Sequence, residues 1–231
     1  MGDKILVPFG IDYKRALGGL GDFTGSVADF FRHTADYKLV LFTGGADVSP
    51  IFYYEPPAKL CYCDFKRDRI EMDICSIALK YGVKMTGICR GAQFLNVMAG
   101  GRMMHHLDNH GGCMHMVQTA QGDEFTVNSL HHQMIVPSED AHVIAWSKRR
   151  LSKIYRGKED KLEDWKGLET EAVIIPAMGA CGVQWHPEIM NFGDVGYEFF
   201  YRMVKDMIEM EKDEFVVKYT KGATAGYEND G

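Results

Sequence analysis

Short apolar segments alternate with segments of helical periodicity through the first hundred residues, and this alternation limits the possible folds more than any other feature. The apolar segments are KILVPF at 4–9, KLVLF at 38–42 and VKMTGIC at 83–89. Segments with helical spacing or an all-round apolar character lie at 25–35, 70–81 and 91–99. Strands that alternate with helices are joined by right-handed crossovers, which predicts a mostly parallel sheet with helices on both faces.

The second half of the chain has a different pattern. Four short strand candidates follow one another without an intervening helix, at 125–128, 142–145, 172–175 and 181–185. Because such strands need no crossover helix, we expect an antiparallel extension of the sheet, followed by a last helix over 194–211. There is no repeat and no long linker. The prediction is one α/β domain at 1–211, with a C-terminal tail at 212–231.

Charge and hydropathy exclude several classes of protein. The net charge is −6 and there is no long basic stripe, which argues against a nucleic-acid surface. No apolar run approaches the roughly 20 residues of a membrane helix. The opening segment MGDKILVPFG has too short an apolar part for a secretory signal, so we expect a cytoplasmic protein whose six cysteines are reduced.

One of these cysteines lies in a distinctive pattern, Gly87-Ile88-Cys89-Arg90-Gly91. G-x-C-x-G is the thiol counterpart of the G-x-S-x-G nucleophile elbow, in which flanking glycines permit a sharp strand-to-helix turn. The turn would present Cys89 at the carboxyl end of a strand and at a helix N-terminus, where the thiolate is favoured. An unreactive core cysteine between two glycines is the alternative.

A second pattern, V-Q-W-H-P-E at 183–188, begins within the last strand candidate and extends beyond its end. His186 could accept and return a proton, and Glu188 two residues later could orient its imidazole. A strand-end histidine beside a surface glutamate is the alternative interpretation.

The two patterns together resemble the class I glutamine amidotransferase superfamily, and most closely its free-standing γ-glutamyl hydrolase branch, the γ-glutamyl-γ-aminobutyrate hydrolase-like proteins. The matching blocks run in family order from about residue 39 to 188. They are G-I-C-R-G-x-Q-x-L-N-V, G-V-Q-W-H-P-E, T-G-G-A-D-V-S-P at 43–50, Arg67-Asp68 with Glu71, Gly100-Gly101, and N-S-L-H-H-Q at 128–133. The resemblance implies a flavodoxin-like fold, and the first 38 residues match only as a generic strand and helix.

The resemblance also implies a role for five positions. Cys89 corresponds to the nucleophile, His186 to the general base and acid, and Glu188 to the third member of a triad. The backbone N–H groups of Gly45 and Arg90 correspond to the oxyanion hole, where two donors face the developing negative charge.

Three further positions correspond to substrate contacts. Gln93 corresponds to a contact with the glutamyl group, and Ser129 and His131 to the wall that holds its α-amino and α-carboxylate ends. The implied reaction is hydrolysis of a γ-glutamyl amide, either glutamine or a γ-glutamyl amine, through a glutamyl thioester, with no cofactor and no metal.

Three functions are compatible with these residues. A free-standing hydrolase cleaves γ-glutamyl amides, a glutaminase subunit supplies ammonia to a separate synthetase, and a binding protein keeps the fold without the triad. The intact triad disfavours the third function, and the blocks at 43–50 and 128–133 favour the first. The leaving amine, the pathway and the oligomeric state, including a homo-oligomer, stay open.

Two other features bear on these functions. A dense group of potential metal ligands, His105, His106, His110, Cys113 and His115, has a spacing that matches no zinc pattern, so no metal is expected. A charged segment at 148–166 replaces the short turn that the family usually has there. It is either a solvated surface or a contribution to the mouth of the site.

Overall fold

A nine-stranded sheet forms the centre of the protein, in a computed structural model that describes residues 2–222. The order of its strands is β2-β1-β3-β4-β13-β12-β10-β7-β8. These strands are β1 (Lys4–Leu6), β2 (Asp22–Thr24), β3 (Tyr37–Phe42), β4 (Lys84–Ile88), β7 (Gly111–Thr119), β8 (Glu124–Leu130), β10 (His142–Ser147), β12 (Thr170–Ile175) and β13 (Ala180–Val183). Two small sheets pair β5 (Arg102–Met104) with β9 (Met134–Val136) and β6 (His106–Leu107) with β11 (Tyr155–Arg156).

Helices cover both faces of this sheet, as the alternation predicts. They are α1 (Val27–Arg32), α2 (Phe65–Tyr81), α3 (Arg90–Met98), α4 (Val195–Glu209) and α5 (Lys212–Thr220). Apolar side chains of α1, α2 and α3 pack on one face, and those of α4 and α5 pack on the other. Gly82 caps the C-terminus of α2, and its φ of 70° lies in the left-handed region.

The predicted fold class is confirmed in both halves of the sheet. β2, β1, β3, β4 and β13 are mutually parallel, and β12, β10, β7 and β8 continue the sheet in antiparallel order. All four strand candidates of the second half correspond to strands. The pairing of β4 with β13 positions the site, because Ile88 is aligned with Val183 and both strands end at the same edge.

Two strands of the central sheet were not predicted. β2 lies in residues 17–25, where the glycine content favours a loop. β7 spans nine residues, but buried His115, Val117 and Thr119 alternate with exposed or half-buried positions that include Met114 and Met116. Because the inward positions are not uniformly apolar, the alternation expected of a half-buried strand is hidden in the sequence.

The end of the chain contains more structure than a tail would. α5 begins at Lys212, and Phe215 and Tyr219 on this helix are buried against the core. The rest of the predicted tail, from 223 to 231, lies outside the described residues, and the division of the chain at 211 stays a prediction. Within residues 2–222, no helix has the length and apolar character needed to cross a membrane.

The charged segment 148–166 is folded onto the body of the protein. Its strand β11 pairs with β6, and the buried Tyr155 donates a hydrogen bond of 2.5 Å to Glu169. The Lys59 backbone N–H donates to Asp160 at 2.9 Å, which ties the segment to the loop before α2. The segment is therefore anchored by specific contacts along its length.

Candidate functional site

Cys89 occupies a strained turn between β4 and α3. Its φ and ψ are 51° and −110°, a conformation that a residue other than glycine adopts rarely, and it is 8% exposed. Its backbone N–H donates to Val183 of the neighbouring strand at 2.7 Å. A Cβ on Gly87 would overlap the Ala92 backbone, and one on Gly91 would overlap the Phe42 carbonyl. Both flanking glycines are thus required by close backbone packing.

His186 and Glu188 follow the end of β13, beside this turn. The imidazole Nδ1 lies 2.6 Å from Glu188 Oε1. Asn128 holds the backbone of His186 from both sides, since its amide donates to the His186 carbonyl at 3.0 Å and its oxygen accepts from the His186 N–H at 2.7 Å. The orientation of the imidazole is therefore set by one carboxylate and one side-chain amide.

The surroundings of His186 favour its protonated form. Burial alone lowers the pKa of His186, but interactions with the Cys89 sulfur and the Glu188 carboxylate raise it to about 10. Cys89 and Glu188 therefore both act on the imidazole, and the hydrogen bond of 2.6 Å joins His186 to Glu188. An imidazole with this preference can hold a proton released by the thiol.

The loop after β3 closes another side of the site. A Cβ on Gly44 would lie 3.0 Å from His186 Cε1 and 2.6 Å from the Tyr13 hydroxyl, so this glycine lies directly against the imidazole. Gly45 has a φ of 144°. The Arg67 guanidinium holds the loop by donating to the carbonyls of Gly44 at 2.9 Å and Thr43 at 2.8 Å.

An ion-pair network connects this loop with the start of α3. Arg67 also pairs with Glu71 at 3.0 Å, and the buried Arg90 side chain pairs with both Glu71 and Asp68. Asp68 accepts a hydrogen bond of 2.5 Å from the Ser49 hydroxyl. Gly45 and Arg90, whose N–H groups were predicted to form the oxyanion hole, therefore lie on two segments that share one buried network.

The three predicted substrate contacts are buried. Gln93, one turn along α3 from Cys89, donates to the Gln133 carbonyl at 3.3 Å. The Ser129 hydroxyl donates to the His110 carbonyl at 2.6 Å, and His131 Nδ1 donates to the Gln133 carbonyl at 2.9 Å. Their role in binding substrate stays a prediction.

The histidine-rich segment does not form one cluster. His105 pairs with Glu55 at 2.8 Å, and the Cys113 thiol donates to the Asn109 carbonyl. His110 and His115 instead meet His131 and Glu171, which come from distant parts of the chain. The ligand atoms of His110, His115 and Glu171 lie within 4.8 Å of one another, as in a metal site.

Sequence reasoning missed three groups at or near the site. Tyr13 lies in a 3-10 helix at Ile11–Leu17, with its ring centroid 6.4 Å from that of His186. Burial and the charges of Glu188 and Cys89 raise the pKa of its hydroxyl. Asn128 enters the sequence analysis only as part of the block at 128–133, and Glu171 is not marked by any motif. No local pattern marks Tyr13, because its proximity depends on how residues 11–17 cross the sheet edge.

Comparison with known proteins places these residues in a family context. A model of the peptidase C26 family matches residues 32–188. The glutamine amidotransferase-like protein YvdE of Lactococcus lactis is 33% identical over 172 residues, which cover 65% of this chain and 65% of that protein. Protein NtpR of Enterococcus hirae is 31% identical over 193 residues, which cover 71% of this chain and 73% of that protein. The match thus spans slightly less than two thirds of YvdE.

Solved structures share the fold. A GMP synthase subunit protein of Thermoplasma acidophilum has a TM-score of 0.55 at 18% identity, over 95% of this chain and 96% of that one. PurLQS of Thermotoga maritima has a TM-score of 0.55 at 16% identity, over 95% and 98%. These structures show the fold alone. The family model and the glutamine amidotransferase-like relatives support the resemblance to the class I glutamine amidotransferase superfamily, whereas the resemblance to the γ-glutamyl hydrolase branch stays a prediction.

Proposed function

This chain belongs to the peptidase C26 family, and we propose that it is a cysteine-dependent hydrolase of γ-glutamyl amide bonds. The hydrogen bond between Glu188 and His186, beside the strained turn that holds Cys89, carries the proposal. It supplies an oriented base beside a thiol that is presented at the carboxyl edge of a parallel sheet, where ligands of such sheets bind.

The proposed reaction has two steps. The Cys89 sulfur attacks the γ-carbonyl carbon, and His186 holds the thiol proton. The carbon–nitrogen bond then breaks, and His186 donates that proton to the leaving amine, which leaves a glutamyl thioester on Cys89. A water molecule next gives a proton to His186 and attacks the thioester carbon, which releases glutamate and returns the proton to sulfur.

In this proposal the remaining residues stabilise charge or hold the substrate. The N–H groups of Gly45 and Arg90 would donate to the oxyanion of each tetrahedral intermediate. The shared ion-pair network supports this assignment, because it restrains both segments relative to Cys89. Gln93, one helical turn from the nucleophile, would contact the glutamyl group.

A free-standing hydrolase is favoured over a component of a larger enzyme by the blocks at 43–50 and 128–133, which resemble the γ-glutamyl hydrolase branch. One observation supports the second candidate, an ammonia-supplying glutaminase subunit. Ile189, Phe192 and Val195 lie within seven residues of Glu188 in the sequence, and each is more than half exposed. Exposed apolar side chains near the site are suited to a synthetase partner.

A substrate comparison tests the proposal. The purified chain, without any partner, is assayed for ammonia release from glutamine and for amine release from several γ-glutamyl amines, with Cys89→Ala as the inactive control. A free-standing hydrolase releases amines at rates well above those of Cys89→Ala. Activity confined to glutamine and stimulated by a synthetase would favour the second candidate, and activity retained by Cys89→Ala would refute both.

A further inference from the structure

Four buried side chains converge at the antiparallel side of the sheet. His110 precedes β7, His115 lies on it, His131 follows β8, and Glu171 lies on β12. The distances from Glu171 Oε1 are 3.4 Å to His110 Nδ1, 3.1 Å to His115 Nε2 and 3.6 Å to His131 Nε2. Three imidazole nitrogens therefore surround one carboxylate oxygen.

In the part of the chain that the structure describes, five polar atoms of these side chains have no hydrogen-bond partner. Among residues 2–222, no aligned partner is found for either ring nitrogen of His115, for Nε2 of His131 or for either oxygen of Glu171. Glu171 is fully buried, and His115 and His131 are 7% and 4% exposed. Buried polar atoms without partners are costly, so a group of five in one place indicates that something else binds there.

The hydrogen bond made by His131 fixes its tautomer, so that the other ring nitrogen presents a lone pair, as a cation requires. His131 Nδ1 donates to the Gln133 carbonyl at 2.9 Å, which leaves the lone pair of Nε2 directed toward the Glu171 oxygen. Two lone pairs that face each other repel unless a positive charge lies between them. Metal-bound histidines commonly donate their other ring N–H to a carbonyl or a carboxylate in this way.

His110 has the same arrangement. Its Nε2 lies 3.3 Å from Glu169 Oε2, and its Nδ1 is directed toward Glu171. Ser129 Oγ lies 3.4 Å from Nδ1, but the hydroxyl proton is donated to the His110 carbonyl at 2.6 Å. With Nε2–H held by the Glu169 carboxylate, the lone pair of Nδ1 can act as a ligand.

The spacing of the ligand atoms fits a small transition metal. Tetrahedral zinc with bonds of about 2.0–2.1 Å separates its ligand atoms by about 3.3 Å. The separations of His115 Nε2 and His110 Nδ1 from the Glu171 oxygen, 3.1 and 3.4 Å, bracket this value, and the ligand atoms of the three residues all lie within 4.8 Å of one another. Calcium and magnesium prefer oxygen ligands, whereas a set dominated by imidazole suits zinc and its neighbours.

We propose that His110, His115 and Glu171 form a site for a divalent transition-metal ion of the zinc type, with His131 beside it. The ligands are supplied by the protein and are buried, which indicates a structural ion. The spacing within the histidine-rich segment matches no zinc pattern, because Glu171 lies outside that segment. Only strand pairing brings the three ligands together.

Such an ion would stabilise the region around the proposed active site. The Gln133 carbonyl that holds His131 also accepts hydrogen bonds from Gln93 at 3.3 Å and Gln184 at 3.2 Å. Glu169, beside His110, accepts from Tyr155 and from two backbone N–H groups of the charged segment at 151–152. The ion would thus tie the β7–β8 hairpin and segment 148–166 to the sheet. In this role Ser129 and His131 support the ion instead of contacting substrate.

Metal binding by the full chain tests the proposal directly. The protein is stripped with a chelator and titrated with Zn²⁺ and with Co²⁺, and bound metal, visible absorption and melting temperature are measured. We expect one equivalent of metal, a raised melting temperature and the absorption bands of four-coordinate Co²⁺ with nitrogen and oxygen ligands. An intense near-ultraviolet thiolate band would place the ion on cysteines and overturn the proposal, as would the absence of binding.

Variants identify the ligands. His115→Gln should weaken Zn²⁺ binding by about 100-fold or more, whereas His142→Gln, at an exposed position of β10, should bind as the wild type does. If His115→Gln does not fold, X-ray absorption of the wild-type Co²⁺ form must show imidazole scattering and no sulfur. Cys89→Ala should bind the ion normally, so this test is independent of the proposed catalysis. Equal binding by His115→Gln and His142→Gln would refute the site.

Discussion

Gly44→Ala is the substitution that most directly probes how the loop after β3 meets His186. The new methyl group would lie 3.0 Å from His186 Cε1 and 2.6 Å from the Tyr13 hydroxyl. Carbon atoms in contact are normally about 3.5–4.0 Å apart, so the imidazole must move by about 0.5 Å or more. The backbone of Gly44 is not in the left-handed region, so the clash arises from these side chains alone.

The size of the effect follows from that displacement. A misplacement of about 1 Å in a catalytic group can cost about 100-fold, so we expect kcat to fall by about 10-fold to 100-fold. Overpacking costs about 1–3 kcal/mol, and loss of glycine freedom in the unfolded chain offsets about 0.4–1 kcal/mol. The free energy of unfolding should therefore decrease by about 1–2 kcal/mol.

Two further variants separate the effect of the contact with His186 from other effects of adding a methyl group. Gly18→Ala is the matched control, because the nearest atom to its added methyl group is 3.9 Å away, so both kcat and stability should be preserved or slightly improved. Tyr13→Phe combined with Gly44→Ala removes the contact with the hydroxyl but not the contact with the imidazole. The double variant should regain stability while kcat stays low.

The measurements are steady-state hydrolysis of the best γ-glutamyl amide and urea unfolding of each variant. The reasoning is refuted if Gly44→Ala has the kcat and stability of Gly18→Ala, because the loop would then not contact His186. It is also refuted if the double variant recovers kcat, because the tyrosine would then be the only group displaced.

Further predictions concern the proposed triad and the buried network. Cys89→Ala should lower kcat/KM by about 1000-fold or more without changing the unfolding midpoint, and an electrophilic glutamine analogue should label Cys89 before any other thiol, which mass mapping checks. Glu188→Gln should cost less activity than His186→Ala in the same assay, and equal losses would contradict the assigned roles. Since proton donation to the leaving amine needs the imidazolium, kcat/KM should fall as the pH rises through about 10, the pKa of His186. Glu188→Gln removes a carboxylate that raises the pKa of His186, so kcat/KM should begin to fall at a lower pH in this variant. Arg90→Met should decrease the free energy of unfolding by about 3–5 kcal/mol in urea titrations, because it leaves Asp68 and Glu71 buried with too little positive charge.

The strand–turn–helix unit around Cys89 could be predicted because its determinants are local. Gly87 and Gly91 are needed where backbone meets backbone, and the apolar run of β4 ends one residue before the cysteine. The same holds for the end of α2, where Gly82 adopts a left-handed conformation. Patterns of this kind are visible in the sequence because each one lies within about ten residues.

Features that depend on strand pairing could not be predicted in this way. The contact of Tyr13 with the site and the convergence of Glu171 with three histidines both join segments that are distant in the chain. β7 was missed for a related reason, since two of the three side chains that it buries, His115 and Thr119, are polar, and His115 pairs with Glu171. A polar cluster inside the protein removes the apolar alternation by which a strand is recognised.

The Arg67–Glu71–Arg90 network shows how such non-local contacts would serve the proposed oxyanion hole of Gly45 and Arg90. Burying these charges costs desolvation energy, and well-packed apolar residues would stabilise a core at least as well. The charged groups instead fix the position of the loop after β3 relative to the start of α3. Arg67 binds two carbonyls of the loop and pairs with Glu71, and Glu71 also binds the Arg90 side chain. Two N–H groups stabilise an oxyanion only if both stay aimed at one point during the reaction. The Glu71 carboxylate, which binds both Arg67 and Arg90, would hold the segments of Gly45 and Arg90 in a fixed relative position.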